Sequence, residues 1–122
     1  FRSSITIKEI QTMIASFNLP NAYHHFDEEQ LATLTLPYIR WYFNGIDDMY
    51  ADNINFQSIP ELRIELYSNY KDFEHESTME STFASNGWAY DKIDSYIDSE
   101  KLYCTLYAGD IVITEEEEST NG

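Results

Sequence analysis

Hydrophobic residues near the start of the chain recur at helical spacing: Ile7, Ile10, Ile14 and Phe17, with Met13 beside them. Thr6-Ile7-Lys8-Glu9 has the form of a capping box, in which the Thr6 hydroxyl and the Glu9 carboxylate each satisfy a free amide. Ile5 and Ile10 flank it as a hydrophobic staple, and Leu19-Pro20 closes the segment. The pattern predicts a helix over residues 7–17. Residues 22–26 then read as a short strand, and the polar, poorly periodic stretch 27–35 as a loop or loose helical turn. Residues 36–43 alternate, with Ile39, Trp41 and Phe43 on one side and Tyr38, Arg40 and Tyr42 on the other. Asn44-Gly45 breaks this run. Residues 50–53 form a turn signal, and 54–59 read as an edge strand ended by Pro60.

The second half completes an order of helix, strands, helix, strands. Leu62, Ile64 and Leu66 alternate with Arg63, Glu65 and Tyr67. Asp72 is placed to cap a second helix whose thin apolar stripe is Phe73, Met79, Phe83 and Ala84, with Asn86-Gly87 as its stop. Residues 88–97 are expected as a strand, 98–101 as a turn and 102–108 as the returning strand. In that last strand Leu102, Cys104, Leu106 and Ala108 are expected to face inward, with Tyr103, Thr105 and Tyr107 opposite. These elements predict an α+β fold: a mainly antiparallel sheet with two helices packed on one face.

Length and composition narrow the picture. The chain has 122 residues, enough for one domain and a core of its own. With 10 Tyr, 7 Phe and 2 Trp it is too apolar for a disordered acidic chain. It opens at Phe1 rather than Met, which is what processing, a tag or excision from a longer protein leaves. No run of residues has the length and apolarity of a membrane span, so no membrane partner is expected. A single cysteine, Cys104, excludes an internal disulfide and a cysteine-rich zinc site.

Charge is the strongest bias. There are 22 acidic and 7 basic side chains, for a net charge of -15, of which residues 61–122 carry -11. That balance disfavours binding to phosphate backbones, which requires Lys and Arg. The run Glu115 to Glu118 with its polar ending predicts a disordered acidic tail over 115–122, after a single domain over 1–114.

No pattern for catalysis emerges, and no cofactor is expected. Gly-x-Ser-x-Gly and phosphate-cradling loops are missing. On a strand, adjacent His24 and His25 would point to opposite faces and could not share a metal. Asp47, Asp48, Asp52 and Asn53 resemble half a calcium loop, but without its central Gly and terminal Glu they read as a solvated turn. Cys104, on the inward side and without an activating base, reads as a small buried hydrophobe. Tyr38, Tyr42, Tyr67, Tyr103 and Tyr107 are candidate interface aromatics, with plain half-covered surface as the equal alternative.

Five strings in order carry a family resemblance: Tyr23-His24-His25-Phe26, Pro37-Tyr38-Ile39, Tyr50-Ala51-Asp52-Asn53, Glu65-Leu66-Tyr67 with Lys71-Asp72, and residues 96–103 from Tyr96 to Tyr103. Over about residues 5–107 the chain resembles the small tail-completion (tail-terminator, head-tail joining) proteins of long-tailed bacteriophages and prophages of Gram-positive bacteria. The stretch 27–36 is longer than that pattern, and the Glu115 to Glu118 run lies outside it.

The resemblance implies a non-enzymatic virion protein at the phage neck, assembled in the host cytoplasm. Its expected form is a homo-oligomeric ring, a hexamer, that caps the tail tube. Its partners would be the tail-tube protein and the head-connector or adaptor protein. DNA would pass the lumen without being specifically bound. Candidate lumen acids are then Asp47, Asp48, Asp91, Asp94, Asp98 and Glu100, which would repel phosphates; keeping a free subunit soluble is the alternative use of the same charge. Two other readings remain open at this level: an acidic DNA-mimic inhibitor, and a small hydrolase with unsorted carboxylates.

Overall fold

The computed structural model describes residues 4–44 and 59–114. The expected turn at 50–53, most of the expected strand at 54–59, Asp47 and Asp48, and the acidic tail lie outside the described residues.

Helix α1 (Ile7–Ala15) starts as its sequence dictates, with both arms of the Thr6/Glu9 capping box formed at 3.1 and 2.9 Å. Strand β1 (Asn21–Tyr23) is shorter than expected, and it is followed by α2 (Glu28–Thr33), where a loop or loose turn was the expectation. A second capping box explains α2: the Asp27 carboxylate accepts from the Gln30 amide while the Gln30 side chain accepts from the Asp27 amide. No residue of α2 is buried, so local capping rather than an apolar stripe specifies it.

Strands β2 (Tyr38–Asn44), β3 (Glu61–Ser68), β4 (Asp91–Ile97) and β5 (Leu102–Asp110), with α3 (Phe73–Ser85) between β3 and β4, complete the fold. The sheet order is β1-β2-β3-β5-β4, with β1 parallel to β2 and every other pair antiparallel. This is an α+β fold on a mixed, mostly antiparallel sheet. Helices α1 and α3 pack against one face, and Phe17 and Phe83 meet edge to face between them at 6.0 Å.

The strand register decides what that core contains. Trp41, Ile64 and Tyr107 lie side by side across β2, β3 and β5, as do Leu66 and Thr105. The expectation for β2 and β3 holds: Ile39, Trp41, Phe43, Leu62, Ile64 and Leu66 are all buried. For β5 it is reversed. Tyr107 and Thr105 point at the helices, while Leu102, Cys104, Leu106 and Ala108 lie on the opposite face.

Hydroxyl chemistry makes this possible. Tyr107 donates to Glu80 at 2.8 Å, and Thr105 Oγ1 lies within reach of both Glu76 and Asp94, at 3.2 and 3.1 Å, with its one proton to donate to either. Helix α3 departs from its expected stripe for the same reason. Glu76, Met79 and Phe83 face the sheet, whereas Phe73 is 70% exposed and Ala84 is on the solvent side.

The chain beyond β5 belongs to the core. The Ile5 amide donates to the Val112 carbonyl and the Thr114 amide to the Ile5 carbonyl, with Ile111 and Ile113 buried. Where the segment before β4 crosses β5, Gly109 leaves room that no side chain could fill. A Cβ there would lie 2.2 Å from the Ala89 carbonyl oxygen.

Candidate functional site: the helix-free face of the sheet

Alternation along β2 and β3 sends Tyr38, Arg40, Tyr42, Glu65 and Tyr67 to the face that α1 and α3 leave uncovered. Glu65 is the hub. Its carboxylate accepts from Tyr67 Oη at 2.6 Å, Arg40 Nη1 at 3.0 Å and Tyr42 Oη at 3.3 Å. Arg40 is held further by donating through Nε to the His24 carbonyl at 2.7 Å, and its guanidinium lies 4.5 Å from the centre of the Tyr42 ring. Tyr38 stacks on Tyr67 at 5.1 Å. Burial, and then the hydrogen bond to Glu65, hold the Tyr67 phenol well above its ordinary pKa. Burial, with the Glu65 charge next, pushes the Cys104 thiol up to about 11. At neutral pH the Tyr67 phenol and the Cys104 thiol therefore stay protonated, and the hydrogen-bonded nest around Glu65 is suited to fixing a surface in place.

Beside the nest, β4 and β5 carry apolar residues on the same face. Ile93 is opposite Leu106 and Ile97 opposite Leu102, with Cys104 and Ala108 alongside. Ile93 is 52% exposed, and Leu102, Leu106 and Ile97 are half-buried. No described helix covers them. Among the described residues β4 is also a sheet edge, paired on one side only.

The candidate aromatics thus divide. Tyr38, Tyr42 and Tyr67 gather around Glu65. Tyr107 does not belong with them: it is fully buried under α3, because its register position faces the helices. Tyr103 shares that side and meets Tyr96 at 4.8 Å. Glu65, the residue that organises the face, escaped the sequence reading because strand alternation marks it only as outward. Its charge opposite Arg40 across β2–β3 was the available signal.

The candidate acids do not form one cluster either. Asp91 starts β4 on the helix-free side, while Asp98 and Glu100 occupy the exposed turn at its far end. Asp94 is on the helix side and is engaged, with Lys71 Nζ at 2.9 Å and Thr105 Oγ1 at 3.1 Å. It belongs to a chain of charges between α3 and β4. Lys71 bonds Glu76 at 2.6 Å, and Lys92 bonds Glu80 at 2.6 Å. Lys92 also stands 2.9 Å from Glu76 Oε1, an ionic contact without hydrogen-bond geometry.

The histidines correct another expectation. The strand ends at Tyr23, and His24 takes a left-handed φ of 72°, which turns both imidazoles to one side instead of opposite faces. Their Nδ1 atoms are 3.1 Å apart. Among the described residues, no group of three or more His, Cys, Asp or Glu side chains is placed to hold a metal ion. Between β1 and α2 lies a cleft of about 220 Å³ lined by Pro20, Asn21, Phe26, Gln30, Thr33 and Leu34, without a charged group. No helix among the described residues is long and apolar enough to cross a membrane.

Fold and face together define the chain as an α+β protein whose sheet is covered by helices on one side and presents an aromatic and apolar surface on the other. No model of a known protein family matches the chain, and no curated protein matches it.

Proposed function

We propose that this chain is a structural subunit of a closed ring at the neck of a long-tailed bacteriophage, a tail-completion protein that caps the tail tube and joins it to the head connector. The observation that carries the assembly reading is the apolar strip Ile93, Ile97, Leu102 and Leu106, which among the described residues lies on a face without a helix and ends at a sheet edge. Strand β5 is apolar on both faces, the pattern of a strand covered twice, and the described chain covers it once. A second copy supplies the other cover. Head-to-tail packing of unlike patches closes a ring, a hexamer on the family resemblance.

The word "phage" rests on the five motif strings alone. Two of them contribute to this face: Tyr38 from Pro37-Tyr38-Ile39, and Glu65 and Tyr67 from Glu65-Leu66-Tyr67, build the nest beside the strip. On this reading Asp91, Asp98 and Glu100 turn to the lumen and repel the passing DNA; Asp94 is withdrawn from that role by Lys71.

The test is the oligomeric state by light scattering, at low and raised salt and with tail-tube protein added. Rings that form on adding salt or tube protein are expected, since subunits of charge -15 repel through dilute buffer. A two-fold dimer that persists with tube protein present overturns the reading.

A further inference from the structure

The motif Tyr23-His24-His25-Phe26 borders the surface described above, with the His24 ring 6.1 Å from Tyr42 and the Phe26 ring 5.3 Å from Tyr38, and its backbone makes a tightly held turn. The His25 amide donates to the Tyr23 carbonyl at 2.8 Å around a central residue with φ of 72°. This is a three-residue turn of the rare, strained hand, built on a residue that is not glycine. Two further bonds fix it: the His24 amide donates to the Trp41 carbonyl at 2.8 Å, and Arg40 Nε donates to the His24 carbonyl at 2.7 Å. Arg40 is itself anchored on Glu65.

The consequence of the strain is the position of the two rings. Both side chains are exposed, and their Nδ1 atoms converge to 3.1 Å. Two nitrogens at that separation, each bonded to a metal at about 2.0–2.1 Å, subtend about 95–100° at the ion. That is the angle between neighbouring ligands in a tetragonal or octahedral site. Imidazole suits zinc, nickel and copper, and a site with two imidazoles and open water positions favours Ni²⁺ and Cu²⁺ over Zn²⁺.

From this geometry we infer that His24 and His25 form a bidentate site for a divalent transition-metal ion, bound through both Nδ1 atoms with water completing the coordination. In the metal-free turn one Nδ1–H donates to the other ring. Metal binding moves that proton to Nε2 of the same ring, which frees both Nδ1 lone pairs for the ion. The turn is organised beforehand, so the second imidazole binds as an intramolecular ligand.

The experiment is calorimetric titration of the full chain with Ni²⁺ alone, on the wild type and on His24→Asn, His25→Ala and His75→Ala. Asn tolerates the left-handed conformation, so His24→Asn keeps the turn while removing the ligand. The expected result is one Ni²⁺ per chain, with affinity falling by about a hundredfold in either His24→Asn or His25→Ala as the chelate becomes a single ligand. His75→Ala, whose ring is 2.7 Å from Asp72 elsewhere in the fold, should bind as the wild type does. Circular dichroism checks that each variant is folded. Unchanged Ni²⁺ affinity in His24→Asn or His25→Ala, which is how diffuse binding to surface carboxylates would behave, overturns the inference, as does a wild type that binds no Ni²⁺.

Discussion

At the scale of single residues, two positions show what the register of β5 demands. Tyr107 is fully buried among Phe83, Tyr90 and the strands, and its hydroxyl reaches Glu80. Tyr107→Ala should therefore cost about 3–5 kcal/mol, and Tyr107→Phe about 0.5–1.5 kcal/mol for the lost hydrogen bond. A surface tyrosine would lose almost nothing in either change, so urea denaturation of the pair reads the strand phase directly. Ile64, opposite both Trp41 and Tyr107, is a conventional core truncation: Ile64→Ala should cost about 2–5 kcal/mol. Gly109 tests the crossing instead of the core. Its missing side chain lets the backbone of Ala89 and Tyr90 pass, so Gly109→Ala forces rigid main chain apart. The expected loss is about 1–3 kcal/mol, measured by the same denaturation and accompanied by a disturbed Trp88 fluorescence, because the Trp88 indole donates to the Asp110 carbonyl beside it.

At the scale of elements, α3 and β4 are joined by charge as much as by apolar contact. Hydrogen bonding to Lys71 holds the Asp94 carboxyl below its ordinary value of 3.8. For Glu80, burial pulls upward, but the bonds from Lys92 and Tyr107 outweigh it and hold the group below 4.5. A carboxyl whose pKa is depressed on folding contributes stability above its unfolded value, and that stability is lost as pH falls through the folded one. The same bonds raise Lys92 above 10.5, and raise Lys71 against the opposing pull of burial; that part is present below 10.5 and lost as pH rises through the folded values. Between pH 5 and 3, wild type should thus lose more stability than Lys92→Met. Unfolding midpoints on that pH series check the difference, and equal slopes would count against the network.

This network also marks where the sequence stopped being legible. Helix α1 was readable down to its capping box, and β2 and β3 to which residues face the core, because their apolar and polar positions alternate without ambiguity. In α3 a glutamate occupies the central position of the buried stripe, and Lys71 just before the helix, together with Lys92 on β4 and Thr105 on β5 far away in sequence, makes that tolerable. In β5 both faces are apolar enough to be inward, and pairing with β3 decides between them. Helix α2 was legible in principle from Asp27 and Gln30, but it lacks the apolar stripe on which helix recognition leans. The histidine turn was illegible for another reason: its geometry depends on a left-handed residue held by Trp41 and Arg40, a contact between segments 16 residues apart.

At the scale of the whole molecule, the assembly and the charge can be separated because they use different residues. Four of the seven basic residues, Arg40, Arg63, Lys71 and Lys92, are tied to carboxylates within the fold, so most of the net -15 is presented outward without compensation. Self-repulsion of that size opposes association at low salt and weakens as the Debye length shrinks from about 30 Å at 0.01 M to about 8 Å at 0.15 M. In the proposed ring the apolar strip supplies the opposing attraction. Ile93→Asp places a charge at its most exposed point, 52% accessible in the isolated chain, so the monomer should keep its unfolding midpoint within about 0.5 kcal/mol of wild type. Ring formation with tube protein should nevertheless be abolished, because the charge would be buried unpaired against the next copy. Changing Asp98 and Glu100 together to Lys makes the opposite demand. These acids stand in an exposed turn and bond no described side chain through an ion pair, so the subunit should fold and assemble, aided by lower repulsion. If they line the lumen, particles built from this variant should assemble normally yet deliver DNA poorly, as phosphates are held by the new lysines. Normal delivery from normally assembled particles would remove the lumen role and leave solubility of the free subunit as the use of the charge. Intact assembly of Ile93→Asp would be the more serious result, since it would take the helix-free strip out of the interface on which the ring depends.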